Sequence, residues 1–127
     1  MGWAMSASGY IPVDRGDRKK AYEAFNKTIE KIKEGSSIII FPEGTRSEDG
    51  QIGPFKKGSN LIASRSKSPM VPITIIGSGD IIKKGSARIT PGSVQVIISP
   101  PVEPSNDKKE NEAILESIRE TIMSLHR

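Results

Sequence analysis

Phe41-Pro42-Glu43-Gly44-Thr45-Arg46-Ser47 sets a turn, an anion and a cation within one short stretch, directly after the apolar run Ile38-Ile39-Ile40. The three β-branched residues, bounded by Ser36-Ser37 and Pro42, predict a short buried strand over residues 36–41. The polar cluster then falls at the strand exit, where open α/β sheets bind ligands. Pro42 stops a ladder, Gly44 permits a tight turn, and Arg46 carries a planar fork suited to holding a phosphate through two parallel hydrogen bonds. A surface ion pair with Glu48 is the competing role for Arg46. Glu43 could bind a substrate hydroxyl or hold the turn by accepting backbone N–H groups. Thr45 and Ser47 also fit local bonds that pin the turn.

The elements that must position this cluster follow from periodicity. Residues 9–15 read as a strand leading to a polar exit. A helix follows, with Asp17 as N-cap, Tyr22, Phe25, Ile29 and Ile32 as its apolar stripe, and Gly35 where a C-terminal stop belongs. Residues 42–55 form a long polar loop, of a length that is uncommon unless functional. A short helix is predicted over 57–66, with Leu61, Ile62 and Ala63 as its buried side. Lys56 and Lys57 at its start oppose the helix dipole unless an anion lies nearby, though a solvated helix start accounts for them nearly as well. Residues 70–76 read as a strand, 77–86 as a turn-rich link, and 87–90 with 93–98 as a hairpin across Pro91-Gly92. Asn106 or Asp107 caps a final helix with Ile114, Ile118, Ile122 and Leu125 on one face. The expected class is α/β, a mixed central sheet with flanking helices, in one domain over residues 1–127.

Composition narrows the chemistry. There are no cysteines among the 127 residues, which excludes disulfides, thiolate metal sites and cysteine nucleophiles. Lysine and arginine outnumber the acids 19 to 15, favouring anionic ligands or surfaces. Nucleic acid is a poor fit, because the basic residues alternate with acids and no aromatic stacking array is present. No apolar run reaches the roughly 20 residues of a spanning helix.

The heptad, together with Gly9-Tyr10-Ile11-Pro12-Val13-Asp14-Arg15 before it and Val71-Pro72-Ile73 after it, resembles the second, third and fourth sequence blocks of the glycerolphosphate acyltransferase family, in the family's order. Gly53-Pro54-Phe55-Lys56-Lys57-Gly58 is similar to the basic turn that follows the family's third block. The resemblance covers most of residues 2–104. It implies acyl transfer from acyl-CoA or acyl carrier protein to lysophosphatidate, a 1-acylglycerol 3-phosphate, or to glycerol 3-phosphate, with no cofactor or metal. Arg15, Glu43, Gly44, Thr45, Arg46 and Lys57 would then form the acceptor site, and Val71, Pro72 and Ile73 the acyl slot. Arg15 alternatively pairs with Asp14 or Asp17.

The family's first block, a His followed five positions later by an Asp, is absent, and the only histidine is His126. The general base of the reaction is therefore missing from these residues, and the expectation is a partial acyltransferase domain, inactive alone. Membrane association, on the cytoplasmic side, would come through a missing N-terminal part. The alternative is a noncatalytic module of the same fold that binds phosphate or lipid headgroups.

Overall fold

The structure is a computed structural model that describes residues 9, 11, 13, 16–83 and 85–126. Arg15 and most of the strand expected over 9–15 lie outside the described residues. The chain divides into two compact units, Met1–Ile40 and Phe41–Arg127.

In the first unit, helix α1 (Arg18–Lys33) starts where its capping residue predicts, the Asp17 carboxylate accepting the Lys19 and Lys20 N–H groups. It ends in a Schellman motif. Ser36 N–H donates to the Lys31 carbonyl and Gly35 N–H to that of Ile32, with Gly35 at φ +96°. The deepest positions are Ala24, Thr28 and Ile29, whereas Tyr22 of the expected stripe is exposed. Small residues take the closest-packed line, and the aromatic ring is left at its margin.

The strand expected over 36–41 does not form. The segment has no regular structure and joins no ladder with any described strand, and Ile39 and Phe41 are 78% and 72% exposed. β-branched residues favour an extended backbone, but a strand exists only with a hydrogen-bonded neighbour.

The second unit holds helix α2 (Lys57–Ser66), strand β1 (Ile73–Ile76), the single-turn helix α3 (Ser78–Ile81), strand β2 (Gln95–Ile98) and helix α4 (Lys108–Leu125). α3 replaces the first part of the expected turn-rich link. The described sheet is two-stranded and antiparallel, with Ile73 opposite Ile98 and Ile76 opposite Gln95, and a further bridge joins Met70 to Val102. The hairpin expected across Pro91-Gly92 is thereby overturned, because β2 uses its ladder on β1 and residues 87–90 are irregular. Alternation marks both segments as strands but does not say which strand each will pair with.

α4 packs on β1 and α2 packs on α4, so the sheet is covered on one face. Pro72 and Thr74 lie on that face and are buried, while Ile73 and Ile75 alternate to the open side. α4 begins at Asp107, whose carboxylate accepts the Lys109 and Glu110 N–H groups. Asn60 of α2 donates to Glu112 of α4 at 3.0 Å. Ile118 is the fully buried member of the α4 stripe.

The Thr74 hydroxyl is buried with no hydrogen-bond partner among the described residues. A polar atom in that position costs about 1–3 kcal/mol, so Thr74→Val, of nearly the same shape, is expected to stabilise the chain by about 1 kcal/mol. The change would be read as a higher urea midpoint at unchanged slope. Destabilisation would mean that the hydroxyl is satisfied in solution.

Candidate functional site

Residues 41–56 make a closed loop. Gly44, at φ +71°, donates its N–H to the Phe41 carbonyl at 3.0 Å, and Lys56 N–H donates to the Pro42 carbonyl at 2.8 Å. The second bond ties the loop's two ends together. It sets the start of α2, with Lys57 as first residue, beside the turn at Pro42-Glu43-Gly44. α2 has no side-chain cap and no acid in its first turn. Its free N–H groups and two lysines therefore give the loop base a positive potential that an anion would complement.

Glu43 is half-buried and turned inward, its Oε2 accepting the Gly53 N–H at 2.7 Å across the loop. Gly53 is the residue that permits this approach, since an added Cβ would stand 3.3 Å from that oxygen. The geometry supplies the turn-holding role for Glu43, and Oε1 has no protein donor among the described residues. At the loop's far side, Asp49 Oδ1 accepts the Gln51 N–H at 3.0 Å and the Ser47 hydroxyl at 2.8 Å. These bonds, the Gln51 N–H first, hold the Asp49 carboxyl below the usual aspartate range.

Arg46 is exposed on this loop. Among the described residues no hydrogen bond or ion pair engages its guanidinium, so the pairing with Glu48 does not form. Thr45 beside it is exposed as well. The structure thus brings Glu43, Gly44, Thr45, Arg46 and Lys57 onto one closed loop and its base. Val71 and Ile73 share the open face of the sheet, 48% and 39% exposed. Pro72 points the other way, into an apolar groove of about 270 Å³ with Ile114 and Ile118 of α4, so the tripeptide does not line a single slot.

Sequence reasoning missed Arg119. From α4 its Nε donates to the Gly53 carbonyl at 2.9 Å and its Nη2 to that of Ile52 at 3.3 Å, while Nη1 meets Glu116 at 2.7 Å. Arg119 and Glu43 therefore hold Gly53 from opposite sides, one at its C=O and the other at its N–H. No local signal marked Arg119, because its partners are backbone carbonyls far away in sequence. Its three-residue spacing from Glu116 is one that any solvated helix face can carry.

A guanidinium free of partners among the described residues, on a braced loop beside an uncapped helix start, is an arrangement that can take a phosphate. The acyltransferase family model matches residues 1–76, and the chain belongs to that family. Over 103 residues it is 46% identical to a chloroplastic 1-acyl-sn-glycerol-3-phosphate acyltransferase of Brassica napus, an alignment covering 80% of this chain and 30% of that protein. Identity to the 1-acyl-sn-glycerol-3-phosphate acyltransferase of Pseudomonas aeruginosa is 36% over 100 residues, covering 78% of this chain and 38% of the relative. The fold matches the crystal structure of the 1-acyl-sn-glycerophosphate (LPA) acyltransferase PlsC from Thermotoga maritima with a TM-score of 0.71 at 38% identity, over 84% of this chain and 45% of that one. The chain spans about a third of the length of these two curated relatives. Among the described residues no helix is long and apolar enough to cross a membrane.

Proposed function

We propose that this chain is the acceptor-binding part of an acyltransferase domain that moves an acyl group from acyl-CoA or acyl carrier protein to the sn-2 hydroxyl of 1-acylglycerol 3-phosphate, giving phosphatidate. The observation that carries the reading is the unpartnered Arg46 guanidinium on its braced loop. Arg46 binds the acceptor's phosphate in bidentate fashion, and Lys57 with the α2 start adds positive potential. The family resemblance extends a phosphate-binding role to Arg15, which lies outside the described residues. Glu43 and Gly44 hold the turn that aims Arg46, with Thr45 beside it, and Val71 and Ile73 contribute apolar surface for the acyl chain while Pro72 fixes the backbone between them. With a lipid acceptor, and by resemblance to the family, the proposed reaction belongs to a membrane surface, on its cytoplasmic side.

The family's His and Asp are not among these residues, so general-base removal of the hydroxyl proton is assigned to polypeptide outside them. In keeping with this, the 127 residues alone are expected to bind the acceptor without turnover.

The test is calorimetric binding of a short-chain lysophosphatidate to the purified chain. Charge-assisted hydrogen bonds contribute about 1.5–3 kcal/mol, so Arg46→Ala should weaken binding roughly 10- to 100-fold. Arg46→Lys should recover part of that loss as a point charge. The neutral monoacylglycerol should bind equally to all three proteins. Equal lysophosphatidate binding by wild type and Arg46→Ala would overturn the assignment of the phosphate to Arg46.

A further inference from the structure

Between the two strands, the chain folds back on itself over residues 81–90. Thr90 N–H donates to the Ile81 carbonyl at 2.9 Å, and Ser86 N–H donates to the Lys83 carbonyl at 3.1 Å. Arg88 N–H donates to the Ser86 hydroxyl at 3.0 Å. The two limbs carry Ile82 and Ile89, which are 41% and 69% exposed. Between the limbs lies a small polar cavity of about 240 Å³, with Lys83, Arg88, Ser86 and Thr90 in its wall and Asp80 as its one acid. Among the described residues no ion pair or side-chain hydrogen bond engages the Lys83 ammonium or the Arg88 guanidinium. In the sequence Lys84 stands between Lys83 and Gly85.

We propose that residues 81–90 dock on a bilayer surface containing anionic phospholipid, with Ile82 and Ile89 entering the headgroup layer and Lys83 and Arg88 engaging lipid phosphates. Two bulky aliphatic side chains left in water next to unpaired cations combine the two forces that hold a peripheral segment at a membrane, apolar burial and attraction to anionic lipid. The local charge balance, Lys83, Lys84 and Arg88 against Asp80, complements an anionic leaflet. A protein partner is less well served. The isoleucines stand at a turn and make no concave pocket for an anchoring side chain, whereas insertion among headgroups needs none. The inference is independent of the acyl-transfer reading.

The chain has no cysteine, so Ile89→Cys creates a unique attachment point for an environment-sensitive nitrobenzoxadiazole probe, and Glu120→Cys on α4 provides a second. With the full chain and vesicles of phosphatidylcholine plus phosphatidylglycerol, the probe at position 89 should brighten and shift to the blue while the probe at 120 does not. In sedimentation, the Ile82→Ser/Ile89→Ser double variant should partition about tenfold less. Lys83→Gln and Arg88→Gln should each lose about fivefold and weaken the preference for phosphatidylglycerol over phosphatidylcholine alone. Unchanged urea midpoints would confirm that these exposed variants remain folded. A silent probe at 89 while the protein sediments with vesicles would overturn the proposal. So would Lys83- and Arg88-dependent binding of inorganic phosphate or of an acyl carrier protein with no vesicle partition.

Discussion

Replacing Asn111 by alanine is expected to destabilise the chain by about 3 kcal/mol, lowering its thermal midpoint by about 10 °C. Asn111 is fully buried at the first turns of α4. Its amide clamps one residue of the preceding connection at two points, Oδ1 accepting the Ser105 N–H at 2.9 Å and Nδ2 donating to the Ser105 carbonyl at 2.6 Å. Alanine would leave both backbone groups without a partner, at about 1–3 kcal/mol each, and leave a void where the amide was. Asn111→Asp keeps the acceptor but loses the donor and buries a carboxylate, so it should be no milder. Ser105→Ala removes only exposed bonds, those of the hydroxyl to Asp107 N–H and Glu110, and should cost under about 1 kcal/mol. Equilibrium urea unfolding of the three variants separates these contributions. An Asn111→Ala cost as small as that of Ser105→Ala would show that water or a shifted connection satisfies Ser105.

Gly77→Ala should be comparably severe, again about 3 kcal/mol, for a different reason. Gly77 ends β1 at φ +87°, and an added Cβ would lie 2.5 Å from the Ser93 carbonyl oxygen just before β2. The left-handed backbone costs an alanine about 1–2 kcal/mol. The close approach adds more, because backbone can be relieved only by moving β2 along or away from β1. Gly77→Asn tolerates the positive φ better but meets the same oxygen, so it should recover little. Gly79, two residues on, has open space around its Cβ position. Gly79→Ala is therefore the matched control, with an expected effect within about 0.5 kcal/mol. If Asn at 77 restores most of the stability lost with Ala, the strain is conformational and the strands have room to part.

The parts of the fold legible in the sequence were those fixed by neighbours along the chain. Asp17, Gly35 and Asp107 mark helix ends because capping needs only the next few residues, and all three act as expected. Strand pairing was not legible. Residues 36–41 and 87–90 have the right composition yet find no ladder among the described residues, because pairing depends on which edge the rest of the chain presents. The same divide runs through the candidate site. Arg46, Glu43 and Lys57 were visible as charges on a turn and at a helix start. The inward turn of Glu43 toward Gly53, and the reach of Arg119 to the same residue, depend on tertiary closure that no local pattern encodes.

Arg119 also bears on where this unit can be cut. The family model ends at residue 76, yet the carbonyl that braces the Arg46 loop is held from a position 66 residues beyond Gly53. Closing so long a span costs loop entropy that the local bonds within residues 41–56 do not. A nascent or proteolysed chain ending short of residue 119 would carry every residue of the heptad and display it on a loop that lacks its brace from α4. Excision or grafting of this loop should therefore take α4 along with it, even though α4 lies outside residues 1–76 that the family model matches.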